Sequence, residues 1–262
     1  MTPLTGKIIV VTGGAGGQGA AHTTLLAGSG ATVVTTDVRD DEGIALARRL
    51  SEDSTDVQYR RLDVTNADDW TRLADWLSTT YHEIHGLVNN AGSLSVGRVG
   101  EATTIAEWDR VMAVNVTGPL LGMTMLGQLL APGASVVNIG SSAGVTAHYR
   151  VAYTASKWAL RGLSRCAALE YGARGIRVNT VLPGMIDTPM TAGLASLAKQ
   201  AQIAETPMGR AGTVADVASV VRFLLSDESA YLSGTEIMVD GGFTAHGGVK
   251  SISDAARAAV VG

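Results

Sequence analysis

"KIIVVTGGAGGQG", Lys7–Gly19, decides the fold. Its first half is a short β-branched run without polar alternation, the pattern of a strand buried on both faces of a parallel sheet. Its second half is a glycine-rich turn, and helical spacing begins at about Gly17. Strand, glycine turn and helix form the context in which backbone amides and a helix N-terminus hold a pyrophosphate. Gly13 permits the tight turn, Gly17 lets the backbone approach the phosphates, and Gly19 lets the helix lie close to the strand. Gln18 belongs to the same turn.

Outward from this unit, extended and helical patterns alternate along the chain. Strand-like runs are "ATVVTTD" (31–37), "VQYRRLDV" (57–64), "IHGLVNNAG" (84–92), "ASVVNIGS" (134–141), "GIRVNTVLPG" (175–184) and "GTEIMVDGG" (234–242). Helical stretches lie between them at 17–29, 41–52, 67–81, 105–130, 150–171 and 214–226. In the second helix Ile44, Leu46, Ala47 and Leu50 supply a buried face. Such alternation means βαβ units. The expected architecture is α/β: one Rossmann-type domain over 1–262, a doubly wound seven-stranded parallel sheet with helices on both faces. Ligands of these sheets bind outside the carboxyl ends of the strands, and the motifs below fall there.

A chain of 262 residues, 46% hydrophobic and 17% charged, fits a soluble globular protein with one sizeable core. A net charge of −4 without a Lys/Arg block weighs against nucleic acid and anionic membrane as partners. No apolar run reaches the ~18 residues of a membrane span, and the N-terminus lacks the basic and apolar regions of a signal peptide. Cys166 is the single cysteine, so neither an internal disulfide nor a Cys-rich metal site is expected, and no metal is assigned. Cytoplasm is the default compartment.

Asp37 ends the second strand about twenty residues beyond the glycine turn, where a carboxylate accepts from an adenosine ribose diol and repels a 2′-phosphate. The turn holds no Arg or Lys, and Arg39 is the one cation nearby. NAD is therefore the expected cofactor. In "AYTASK" (152–157), Tyr153 and Lys157 stand one helical turn apart, so both face one side. Free phenol, with a pKa of about 10, is a poor base at neutral pH, and a nearby ammonium stabilises the phenolate.

The turn "TGGAGGQG", "NNAG" (89–92), "VNVTG" (114–118), "NIGS" (138–141), "YTASK" (153–157) and "PGMIDT" (183–188) together resemble the short-chain dehydrogenase/reductases, in register from about Gly6 to Gly242. Within that family "LDVT" (62–65), "YTASKWALRGLS" (153–164) and "LPGMIDTPMT" (182–191) look most like bacterial 3α/20β-hydroxysteroid and alicyclic-alcohol dehydrogenases. The resemblance implies Tyr153 as general acid/base and Lys157 as its electrostatic support and ribose ligand. It implies Ser141, rather than the competing Ser142, as the group orienting the substrate oxygen, and Asn115 as part of a water relay. It further implies Asp63 and Val64 at the adenine, Asn90, Ala91 and Gly92 along the cofactor, and Pro183, Gly184, Ile186 and Thr188 towards the nicotinamide carboxamide, with pro-S hydride transfer.

Met185–Arg210 reads as a lid, with Met185, Met190, Leu194, Leu197 and Met208 offering adaptable apolar surface and Lys199 and Arg210 as its few cations. Leu94, Val96, His148 and Tyr149 would line the opposite side, and Ser142 is a further substrate candidate. The extension at 243–262 is rich in alanine and valine and either covers a neighbouring subunit or hangs loose. The leading expectation is an NAD-dependent oxidoreductase interconverting a small apolar secondary alcohol and its ketone, assembled as a homotetramer. The alternatives are a 3-oxoacyl-carrier-protein-type reductase and a catalytically silent dinucleotide sensor.

Overall fold

A computed structural model describes residues 4–52, 55–100, 103–192 and 196–261. Seven parallel strands run in the order β3-β2-β1-β4-β5-β6-β7. They are β1 Ile8–Thr12, β2 Thr32–Asp37, β3 Val57–Arg61, β4 Ile84–Asn89, β5 Leu130–Ile139, β6 Arg177–Pro183 and β7 Glu236–Val239. The helices α1 Gly17–Gly28, α2 Asp40–Glu52 and α9 Val214–Leu225 cover one face, against Ile9, Val11, Val33, Val88 and Val137. On the other face α3 Ala67–Tyr81, α5 Gly118–Leu126 and α6 Val151–Gly172 pack on Val10, Val34, Leu87, Val136 and Val178. Neighbouring residues of β1 thus feed two separate cores, which is why its sequence is apolar without alternation.

Local signals place the helix starts. Asn66 accepts from the N–H groups of Asp68 and Asp69 at the head of α3, and Thr213 and Asp216 form a capping box on α9. The head of α1 differs: Gly16 offers no side-chain cap and the first turn carries no acid, so its amides are left for something else.

Four expectations change. The helix expected over 105–130 is α4 Ile105–Met112, a π-helical turn at Ala113–Thr117, and α5. Pro119 has no N–H to offer the carbonyl of Asn115 four positions back, and a wider turn absorbs the lost bond. Strand β5 begins at Leu130, earlier than 134, because Leu130 pairs with Ile84 across a register shift before Ser135 pairs with Gly86. Ile44 is exposed, and the buried face of α2 uses Gly43 instead: a Cβ there would lie 2.1 Å from the Tyr59 ring. The third strand stops at Arg61, since Asp63 folds into a turn whose carboxylate accepts from the N–H and hydroxyl of Thr65. The extension forms a helix, α10 Val249–Val261, with Val249 and Ile252 exposed.

Candidate active site

Strand order reverses between β1 and its neighbours β2 and β4, and a cleft of about 740 Å³ opens at their carboxyl ends. The glycine turn forms its floor. Gly13 has a φ of +64°, and a Cβ on it would stand 2.8 Å from Ala91 Cα; one on Gly19 would stand 2.0 Å from the carbonyl oxygen of Gly13. Thr12 and Asn90 lock this floor. The Thr12 hydroxyl accepts from the N–H groups of Asn90 and Ala91, and the Asn90 amide donates to the carbonyls of Thr12 and Gly13.

At one end of the cleft Asp37 is 6% exposed. It accepts from Ala15 N–H at 3.0 Å and from Arg39 through its backbone N–H, Nε and Nη2 at 3.1–3.2 Å. Burial pushes the carboxyl up, but the Arg39 bonds and the backbone donors outweigh it and hold Asp37 below the usual carboxylate range. Asp63, Val64 and Thr65 continue this wall, and Thr188 faces Gly17 across the opening.

The residues present fit a dinucleotide. The α1 amides are uncapped, Gly13 and Gly19 let the turn close against Ala91 and its own backbone as no Cβ would allow, and the buried Oε1 of Gln18 in the first turn of α1 has no partner. An acid with a paired cation stands at the adenosine end.

At the other end, β5 delivers Ser141 and α6 delivers Tyr153 and Lys157. Ser141 stands beside the Tyr153 phenol, and its Oγ accepts from Ala143 N–H at 3.1 Å. Ser142 is buried in the 3₁₀ turn that follows, so Ser141 is the serine beside the phenol. Burial raises the Tyr153 pKa; the neighbouring Ser141 hydroxyl and the Arg150 charge lower it. Lys157 Nζ donates to the Ile139 carbonyl at 2.8 Å and stands 5.6 Å from the Tyr153 ring, and burial lowers its pKa to about 8. Asn115, in the π-helical turn, accepts from Ser93 N–H at 2.7 Å and donates to the Ser93 carbonyl and to Ser156 Oγ. Its side chain ties the loop after β4 to the catalytic helix.

The remaining candidates scatter. Pro183 ends β6, Gly184 abuts Asp240, and Ile186 is buried in the core against Gly212 rather than along the cleft. Met185 and Met208 line a second cavity with Met238 and Asp240, while Leu197 is exposed on the lid. Met190 belongs to the short helix α7 Pro189–Ala192, and Leu194 lies outside the described residues. Leu94 sits in the loop after β4 and gives its carbonyl to Arg110. The rings of His148 and Tyr149 stack at 4.4 Å, and His148 Nδ1 accepts from Arg150 N–H. Burial, then the Arg150 charge, lowers the His148 pKa. Arg110 and Thr12 escaped sequence reasoning. Arg110 lines the cleft and donates to Ser93 Oγ and the Leu94 carbonyl. Neither lies in a diagnostic spacing, although Thr12, as the last residue of a glycine-terminated strand, carried a usable signal.

A family model described as enoyl-(acyl carrier protein) reductase matches residues 5–244. The chain is 40% identical to a 3-alpha-(or 20-beta)-hydroxysteroid dehydrogenase of Mycobacterium bovis, over 92% of this chain and 91% of that one. It is 37% identical to a trans-4-hydroxycyclohexanecarboxylate dehydrogenase of Sinomonas cyclohexanicum, over 91% and 93%. Its structure superposes on a Brucella melitensis short-chain dehydrogenase/reductase described as a glucose/ribitol dehydrogenase with a TM-score of 0.87, at 29% identity over 92% of this chain and 98% of that one. Taken with the parallel sheet, the glycine floor and the Ser141, Tyr153 and Lys157 cluster, these matches place the chain in the short-chain dehydrogenase/reductase family.

Proposed function

We propose that the protein is an NAD-dependent oxidoreductase that interconverts an apolar secondary alcohol and its ketone. The observation that carries this reading is the meeting of Tyr153 and Lys157 at the end of a glycine-floored cleft whose far end holds Asp37. A bound nicotinamide supplies the hydride acceptor for oxidation and the donor for reduction. The chain's own groups handle the proton and the geometry. Ser141 Oγ holds the carbinol oxygen beside Tyr153. Tyr153 takes the carbinol proton during oxidation and returns it during reduction. Lys157, held at the Ile139 carbonyl, is the cation that stabilises the phenolate and the ligand for the nicotinamide ribose. Asn115 pins the Ser93 loop against α6 and so holds the reacting end together.

The mostly apolar lid, 185–210, suits an apolar substrate, and the hydroxysteroid and hydroxycyclohexanecarboxylate dehydrogenases among its relatives act on cyclic alcohols by name. Acyl-carrier chemistry needs a basic docking patch, and Lys199 is already paired with Asp187 and Arg210 with Asp216. A silent sensor has no need of Tyr153 and a buried Lys157 together at the end of the cleft. Exposed Leu120, Trp158 and Leu169 on α5 and α6 support a homotetramer paired through these helices. A free, exposed Cys166 fits a cytoplasmic setting.

Oxidation of a panel of cyclic and aryl secondary alcohols with NAD⁺ and NADP⁺ tests the reading. Turnover with NAD⁺ is expected, and Tyr153→Phe should lower it by at least ~10²-fold while leaving the fold and NAD⁺ binding intact. Near-full activity in Tyr153→Phe would remove the acid/base assignment.

A further inference from the structure

Two side chains of α6 hold the backbone on either side of Ser141. Lys157 Nζ donates to the carbonyl of Ile139, before Ser141 in the chain, at 2.8 Å. One helical turn further on, Arg161 Nη1 donates to the carbonyl of Gly144, after Ser141, at 2.5 Å. Gly144 closes the 3₁₀ turn that carries Ser141. Its N–H donates to the Ser141 carbonyl at 2.8 Å, and Ala143 N–H donates to Ser141 Oγ at 3.1 Å. The N–H groups of Val145 and Thr146 then donate to the Ser142 carbonyl. A Cβ on Gly144 would stand 3.0 Å from the Lys157 carbonyl oxygen, so the turn lies directly on α6.

Arg161 is itself held. Its Nη2 lies 2.9 Å from Glu236 Oε2, and the two side chains are 16% and 13% exposed. Glu236 opens β7 and pairs with Thr180 of β6. Arg165 Nη2 stands 2.9 Å from the other carboxylate oxygen, and the Trp158 ring lies 4.8 Å from the Arg161 guanidinium carbon. Stability alone is a poor account of this pair. Desolvating two charges offsets most of their attraction, and apolar side chains of similar volume would fill the space as well. Arg161 Nε is moreover buried with no hydrogen-bond partner among the described residues. What the pair does supply is a donor of fixed direction. A planar guanidinium anchored to a carboxylate through one Nη aims the other at Gly144 with little freedom. Tyr153, Lys157 and Arg161 share one helix, so the turn carrying Ser141 is registered against the groups that flank its hydroxyl.

We propose that Arg161, anchored by Glu236, is a positioning residue that brackets Ser141 together with Lys157 and sets the place of the Ser141 hydroxyl relative to Tyr153. Arg161 acts through the Gly144 carbonyl. This deepens the reading of the cleft as an alcohol dehydrogenase site and rests on it for the kinetic measurements.

In Arg161→Met, kcat for a cyclic secondary alcohol should fall at least about tenfold, because a misplacement of ~1 Å at a reacting group can cost ~10²-fold. The Kd for NAD⁺ should stay within about twofold of wild type. Arg161→Lys, which can reach one partner but cannot fork between both, should restore part of the loss. Arg161→Met/Glu236→Gln leaves no unpaired buried carboxylate, so it serves if the single variant does not fold, and it should show the same loss. The decisive comparison adds Arg161→Met to Ser141→Ala. A residue that works through Ser141 should then lower kcat by less than about twofold more. An equal loss in both backgrounds, or a kcat within about twofold of wild type in a folded Arg161→Met variant, would overturn the role. Hydrogen exchange gives a readout that needs no turnover: the amides of Ala143–Thr146 should exchange at least about tenfold faster in Arg161→Met, while those of β1 and α1 keep their protection. Unchanged protection at Ala143–Thr146 would refute the bracket. If the wild type oxidises no alcohol but this protection still depends on Arg161, the bracket stands and the dehydrogenase reading falls.

Discussion

Tyr153 sits in an environment that pulls its acidity both ways: burial raises the pKa, while the neighbouring Ser141 hydroxyl and the Arg150 cation lower it. Removing a nearby cation destabilises a phenolate, so Arg150→Gln should move the rising limb of the pH profile for alcohol oxidation to higher pH. The check is kcat/KM against pH at saturating cofactor, and an unmoved limb would show that Arg150 does not tune the phenol. The i, i+4 spacing and the family resemblance point to Lys157, together with the positive nicotinamide, for this role. The Lys157 ammonium donates to the Ile139 carbonyl and stands 5.6 Å from the centre of the Tyr153 ring. At the adenosine end Asp37 meets Arg39 before it meets any ribose. NAD⁺ should still be preferred over NADP⁺ by at least about tenfold in kcat/KM, or roughly 1.4 kcal/mol, because the carboxylate remains in place to repel a 2′-phosphate. Asp37→Ser should narrow or reverse that preference by freeing Arg39. Equal use of both cofactors by the wild type would identify Arg39 as a 2′-phosphate ligand.

Helix α1 contains a cost that its position in the fold imposes. His22 is fully buried on its inner face, neither ring nitrogen has a hydrogen-bond partner, and burial lowers its pKa from 6.5 to about 4. The folded state therefore binds the proton less readily than the unfolded chain. The stability that neutral His22 permits is complete above about pH 6.5 and drains away as pH falls towards 4, by up to about 3 kcal/mol. His22→Leu should raise stability at pH 7 by about 1 kcal/mol, since it removes unsatisfied polar atoms, and should flatten the fall in Tm between pH 6.5 and 4.5. Asp37 and Asp227, whose pKa values are already lowered from 3.8, lose their contribution only below this window. An unchanged slope in the variant would mean that another group controls it. The elements themselves show what could be read in advance. The β-branched runs of β1, β2 and β6 were legible because burial on both faces leaves an unbroken apolar run. The π-helical turn was not: Pro119 announces a disturbance, but whether the helix kinks, ends or widens depends on what packs around it.

Helices α5 and α6 each carry exposed apolar side chains, Leu120 at 46%, Trp158 at 50% and Leu169 at 79% exposed. If these helices pair across a two-fold axis, light scattering should give a tetramer mass at micromolar concentration. Trp158→Glu should shift it to dimers or monomers by placing a charge where apolar surface is buried. A monomer mass for the wild type would dismiss the assembly and leave these side chains to a different partner. The same experiment bears on α10, whose Val249 and Ile252 face solvent in the single chain.

The sequence by itself determined the alternation of strand and helix, the parallel sheet, the glycine turn after β1 and the identity of the Tyr153 and Lys157 pair. Each is encoded in neighbouring residues through a period, a turn requirement or a one-turn spacing, so no knowledge of distant contacts was needed. Tertiary structure decided what depends on segments remote in the chain. It set Ser141 beside the Tyr153 phenol, because that placement depends on where β5 ends relative to a helix that starts several residues later. It put Gly43 rather than Ile44 against the sheet, because the Tyr59 ring already fills that space. It folded Arg39 back onto Asp37, two residues away, because the shape of the turn after β2 decides whether that guanidinium meets the carboxylate or solvent.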